Sequence, residues 1–383
     1  MKDNYFLSQP HQPFFLLAFF NAIIFMLIFM LSYKGIFNLQ LDSLLFHSYS
    51  LIYLFFTPAF LAFLFTTFPR FLSQQPIDKS IYIKIFGLFL LGTILFSVGS
   101  FINYIIYKIG MFILFIAYIL SVKILYDIHK KSDMPNKHDT FWILIGFGFG
   151  IFAYVFFLFE QNISVGIEIA IFAYLFVVGF SVAQRMIPFF SHCMVNKNKT
   201  FMKNIIILIV LHIILEMISL NLSVITDILL SFYIGKELLR WKLPFPNPNP
   251  MLSILHIALY WIPVGFFISF ISKIIILFND SYFLSLDIHI LMLGFLFTVL
   301  IGFGTRVTLG HSGNQMYADN FTKYIFIWTQ IVILVRIITS LVAAIGWNYM
   351  ILFDISVTVW LILFIAWGVR FFKVLIFGFR LYK

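Results

Sequence analysis

Twelve runs of roughly 20 predominantly apolar residues follow one another along the 383-residue chain, separated by short polar connectors. A run of that length crosses the hydrocarbon of a bilayer as a helix, because each backbone amide must find its partner inside the segment. The runs cover residues 14–33, 44–67, 82–101, 104–125, 141–159, 164–186, 203–219, 222–240, 253–276, 285–305, 323–345 and 349–371. The eighth is the weakest, since Asp227, Lys236 and Glu237 interrupt it, and an eleven-span chain follows if it lies in the interface. With 62% hydrophobic and only 10% charged residues, the surface of such a chain has no means of dissolving in water. The expected fold is therefore all-α: a polytopic transmembrane bundle of about twelve helices forming a single integral membrane domain over residues 1–383.

Charge placement gives the bundle a direction. Most of the 25 Lys and Arg residues fall in alternate connectors, among them Lys2, Arg70, Lys130, Arg185, Lys197, Arg240, Arg306, Arg370 and Lys383. Basic residues accumulate on the cytoplasmic side, so both termini are expected inside, in a bacterial inner membrane. The formal charge of +10 is then topological and gives no reason to expect nucleic acid as a partner. A single cysteine, Cys193, rules out an internal disulfide. The segment KLPFPNPNP (242–250) is expected to be a non-helical connector, and the longest hydrophilic loop is expected near 126–140.

The second, sixth and tenth spans end in similar apolar runs closed by an arginine: FLAFLFTTFPR at Arg70, FVVGFSVAQR at Arg185 and FLFTVLIGFGTR at Arg306. That rhyme suits three four-helix units, although chance likeness among Phe-rich helices produces the same impression.

Ionisable residues inside hydrocarbon are costly, which makes each a candidate for function. Of the nine histidines, His47 and His289 begin the second and tenth spans at a similar outer level. Two neutral imidazoles on facing helices suit the axial positions of a haem iron; the alternative is two interfacial histidines bonded to backbone or water. On the inner side lie His11, His192, His256 and His311, with Arg70, Arg185 and Arg306 at the same level. Imidazole clusters bind copper and arginines neutralise propionates or small anions, although arginines also simply anchor helix ends. From His47 to Arg70 is roughly 35 Å of helix, so the arginines belong to a separate, cytoplasmic site. His212 and Glu216, four apart on the seventh span, share a face as a proton relay or as a structural pair. No nucleotide-binding Gly-rich loop, CxxC pair, HExxH motif or hydrolase elbow occurs.

At these residues the chain resembles the NnrS family, haem- and copper-containing membrane proteins associated with the response to nitric oxide. The stretches that carry the resemblance are HQPFFLLAFF (11–20), HSYSLIYLFFTPAFLAFLFTTFPRF (47–71), QRMIPFF (184–190), ILHIALYWIPVG (254–265) and HILMLGFLFTVLIGFGTRVTLGHSG (289–313). The resemblance implies His47, His289, His11, His256 and His311 as metal ligands. It implies Arg185, Arg306 and Arg70 at the cofactor, with haem and copper as the groups bound. It also implies a diatomic ligand such as nitric oxide, leaving the electron donor and any haem-dependent redox activity toward nitric oxide open. One departure stands out: Tyr49 and Ser50 occupy the places of the second His and the Glu of the family's HxHE pattern, which weakens copper more than haem. The architecture also resembles the large subunit of haem–copper oxidases, but the sequence lacks the second His on the tenth span and the paired histidines on the seventh. A twelve-span secondary transporter is the alternative, with Pro58, Pro188 and Pro263 breaking helices.

Overall fold

The computed structural model of the chain describes residues 5–193, 198–219, 222–279 and 281–381, so Lys2, Lys197 and Lys383 lie outside the described residues. Twelve helical rods form among them: α1 (His11–Tyr33), α2 (Ser43–Phe71), α3 (Lys79–Ile102), α4 (Tyr104–Lys131), α5 (His138–Phe159), α6 (Ile163–Phe190), α7 (Phe201–Ile218), α8 (Val224–Trp241), α9 (Pro250–Asn279), α10 (Leu286–His311), α11 (Asn320–Ala344) and α12 (Met350–Phe377). Eleven are long and apolar enough to cross a membrane. The exception is α8, which forms where expected but carries Asp227, Glu237 and Arg240; Arg240 Nε donates to Glu237 Oε2 at 2.8 Å, and Trp241 Nε1 donates to Glu237 Oε1 at 3.0 Å. The protein is a multi-pass helical membrane protein.

Connectors are shorter than the sequence suggests. The expected loop near 126–140 shrinks because α4 continues through Lys131 and α5 begins at His138. The Pro-rich connector stays non-helical up to Pro250, which opens α9, where its missing N–H belongs to a turn that has no helical acceptor anyway.

Three rods share a feature that periodicity does not reveal. In α2, α6 and α10 the backbone widens into a π-helix, over Ser50–Phe56, Ile169–Phe176 and Ile290–Phe297. Such stretches concentrate at functional sites. In two of them a threonine closes the widened turn by bonding the carbonyl five residues back: Thr57 Oγ1 to Ile52 O and Thr298 Oγ1 to Leu293 O, both 2.8 Å. The same three rods are the enclosed ones, with 94%, 72% and 78% of their apolar windows buried against 33–50% for the other spans. The remaining helices leave one side to lipid.

The chain divides into two compact units. The first comprises Met1–Ala170, Val307–Gln315 and Phe364–Lys383. In it α3 and α4 are joined by Asn103 alone, whose Oδ1 caps Ile105 N at 2.7 Å. Gly99 and Gly110 let the two backbones touch; a Cβ at either would collide with main chain of the facing helix. Pro58 in α2 cannot donate to the Leu54 carbonyl one turn back, and Asn21 Nδ2 on α1 takes that acceptor instead at 2.7 Å. Phe19 stacks on Trp367 with ring centroids 4.0 Å apart.

The second unit comprises Ile171–Arg306 and Met316–Leu363. Here Ser231 Oγ on α8 donates to Pro263 O on α9 at 2.8 Å. Phe176, Phe180, Phe266 and Phe295 form its aromatic core. Gly294 sits under the Trp261 ring, whose Nε1 donates to Gln330 Oε1 at 2.8 Å.

Candidate functional site

His11 and His311 come from opposite ends of the chain and meet in the first unit. His11 opens α1 and is 1% exposed; His311 closes α10. Their ring centroids lie 4.7 Å apart at an interplanar angle of 41°, and Arg70 is within electrostatic reach of both. The entry into α1 is fixed by Gln12, whose Oε1 accepts from Ser8 Oγ at 3.1 Å and from Gln9 N at 2.8 Å. His11 Nδ1 is buried with no hydrogen-bond partner, as is Thr308 Oγ1, one turn before His311. A buried polar atom left unmet is rare and calls for an explanation such as an ion. Imidazole is a good copper ligand. His11 and His311 are the two imidazoles the fold brings together here.

In the second unit, Arg306 and His256 converge on the end of α6. The Arg306 guanidinium lies over the Phe190 ring at 4.1 Å, and its Nε is buried without a partner. Arg185 is half-buried one and a half turns earlier on α6. His256 has both ring nitrogens engaged: Nδ1 donates to Pro244 O at 3.0 Å, and Nε2 accepts from Ser191 Oγ at 2.7 Å. A metal at His256 would have to displace the Ser191 hydroxyl.

His47 lies three residues before the π-stretch of α2 and His289 directly before that of α10, in different units. His47 stacks on Phe29, ring centroids 4.1 Å apart. His289 Nδ1 faces Ser285 O at 2.8 Å and Arg336 Nη2 at 3.1 Å. Nδ1 thus lies between a carbonyl that can only accept and a guanidinium that can only donate. Arg336 also bonds Leu284 O at 2.6 Å and the Ser340 hydroxyl.

Tyr49 is fully buried and hydrogen-bonded to the Tyr154 hydroxyl. Tyr154 donates its proton to Met111 O at 2.7 Å, so Tyr49 is the donor in the pair. Tyr53 and Tyr118 complete a buried tyrosine cluster, each donating to a backbone carbonyl of α5, Gly150 O and Phe147 O, at 3.1 Å. The Tyr49 phenol is thus committed to another side chain, a role its sequence position did not disclose.

Sequence reasoning also missed the partners of His212 and Glu216. Lys273 on α9 and Asp227 on α8 join them, and all four are ionisable groups on apolar helices, the signal by which they could have been grouped.

No curated protein matches the chain. The family model described as NnrS protein matches residues 5–377, and the chain accordingly belongs to the NnrS family.

Proposed function

We propose that this membrane protein binds haem and copper and serves in the response to nitric oxide, with both termini on the cytoplasmic side of a bacterial inner membrane. The observation that carries the reading is the His11–His311 pair with its unmet buried Nδ1. Two adjacent imidazoles with one nitrogen left open are a donor set that copper accepts, and Arg70 beside them supplies positive charge for an anionic ligand. For haem, His289 is the residue that would hold the iron, its ring anchored through Nδ1 at the Ser285 carbonyl. His47, near the start of α2 in the first unit, is a separate candidate for the same role. Arg306, with its open Nε, suits a propionate or a small anion, and Arg185 adds charge on α6. A haem iron held by one imidazole would keep a position open for nitric oxide and supply a one-electron couple, and copper would supply a second couple. The protein's part is to hold neutral imidazoles in fixed orientation on enclosed helices and to keep water from the metals. The family match over residues 5–377 does not favour the transporter alternative.

The test is an absorption spectrum and metal analysis of protein purified from cells replete in haem and copper. A Soret band that shifts with nitric oxide, lost in His289→Ala or His47→Ala, together with copper that falls in His11→Ala and His311→Ala, is the expected result. Protein that carries neither group sinks the reading.

A further inference from the structure

In the second unit the ends of α7, α8 and α9 bring together His212, Glu216, Asp227 and Lys273. Lys273 Nζ spends all three of its protons: on Glu216 Oε2 at 2.8 Å, on Asp227 Oδ2 at 3.0 Å and on Ser223 Oγ at 2.8 Å. It is therefore a fixed cation. Asp227 Oδ2 also accepts from Ser269 Oγ at 2.8 Å, which satisfies that oxygen. The Thr226 hydroxyl donates to Ser223 O at 2.7 Å, so its oxygen is left to accept from His212 Nδ1 at 3.0 Å. His212 then carries its proton on Nδ1 and presents a bare Nε2.

Two basic positions remain open. His212 Nε2 and Asp227 Oδ1 are both buried without a hydrogen-bond partner, in side chains that are 1% and 0% exposed. Nε2 lies 4.0 Å from Glu216 Oε2, and Oδ1 lies 3.2 Å from His212 Nδ1. The charges that face the pair are Glu216 from its own helix, Lys273 from α9 and Asp287 from the start of α10, the last within electrostatic reach of Asp227 and Lys273. The sixth rod contributes the Phe172 ring, 4.8 Å from the imidazole. With His212 neutral, one ammonium faces three carboxylates, an excess of negative charge where charge is poorly solvated. One added proton reduces that excess and fills an open valence.

We propose that His212 and Asp227 form a membrane-embedded site for one exchangeable proton, held at Nε2 or Oδ1 and balanced by Glu216 and Lys273. The proton comes from bulk water and returns to it, with no bond broken in the protein. The site stands whether or not the chain binds haem or copper.

The test is a pH titration by infrared difference spectroscopy of the full chain in nanodiscs, on wild-type protein with ¹⁵N-labelled histidine or ¹³C-carboxyl-labelled aspartate. The expected result is a label-sensitive component, titrating between about pH 5 and 8, that is lost in His212→Gln or in Asp227→Asn. The label that moves it names the atom that holds the proton. Lys273→Met should raise its midpoint by about one pH unit or more, because the competing cation is gone. A spectrum with no component sensitive to either label, or one that persists in both variants, overturns the proposal. If a variant does not fold, the labelled wild-type titration decides alone.

Discussion

Lys273→Met gives the most demanding test of how this bundle tolerates charge. The side chain is 2% exposed and makes two ion pairs and a hydrogen bond, at 2.8, 3.0 and 2.8 Å. Methionine has similar length and fills the same space, so packing is conserved and only the charge disappears. Taking one partner from a buried ion pair strands the other and costs about 3–5 kcal/mol. Asp227, fully buried, bears most of that penalty, whereas Glu216 sits in the last turn of α7 and can turn toward solvent. At 1.4 kcal/mol per tenfold, the unfolded fraction should rise by roughly 10²- to 4 × 10³-fold. The assay is denaturant unfolding in mixed micelles. The double variant Lys273→Met/Asp227→Asn should recover more than about 1.5 kcal/mol of the loss, because the amide keeps the shape without the charge. The deficit of the single variant should shrink in acid, where the stranded carboxylates take up protons. A single variant within about 0.5 kcal/mol of wild type, or no recovery in the double, refutes the account.

Other perturbations follow from individual contacts. Gly294→Val places a Cβ 2.8 Å from the Trp261 indole inside the π-stretch of α10, and the overpacking should cost about 1–3 kcal/mol in the same unfolding assay. Tyr49→Phe removes one donor and should cost about 1 kcal/mol, whereas Tyr154→Phe leaves the buried Tyr49 hydroxyl without its acceptor and should cost about 1–3 kcal/mol. His256→Gln should lower the melting temperature while copper content stays at the wild-type level; a loss of copper would make His256 a ligand. Asp78 caps α3, and bonds from the Ser80 hydroxyl and amide hold its carboxyl below the ordinary range. Its contribution is therefore present at neutral pH and lost as pH falls through that lowered value. Asp78→Ala should accordingly melt below wild type at neutral pH and together with it in strong acid.

The apolar runs by themselves determined the helices. Lipid imposes a local requirement, that each segment satisfy its own backbone within about 20 residues, and a local requirement can be read locally. Even α8 forms where expected, and two of its charges, Glu237 and Arg240, have a local reason in their own pair. His47 and His289 at the openings of α2 and α10, and arginines toward the ends of α2, α6 and α10, were legible for the same reason.

What periodicity could not supply was any contact between helices distant in sequence. Nothing in the apolar pattern says that His11 meets His311, that Tyr49 donates to Tyr154, or that Lys273 crosses to Asp227 instead of reaching a headgroup. Between spans the bilayer offers no hydrophobic gradient to betray a partner, so association depends on shape and on which polar atoms must be satisfied. The widened π-stretches depend likewise on neighbouring turns and on a single hydroxyl, at Thr57 and Thr298, that composition does not weight. Sequence thus placed the chemistry by depth along each helix, and only the tertiary structure decided which groups face each other.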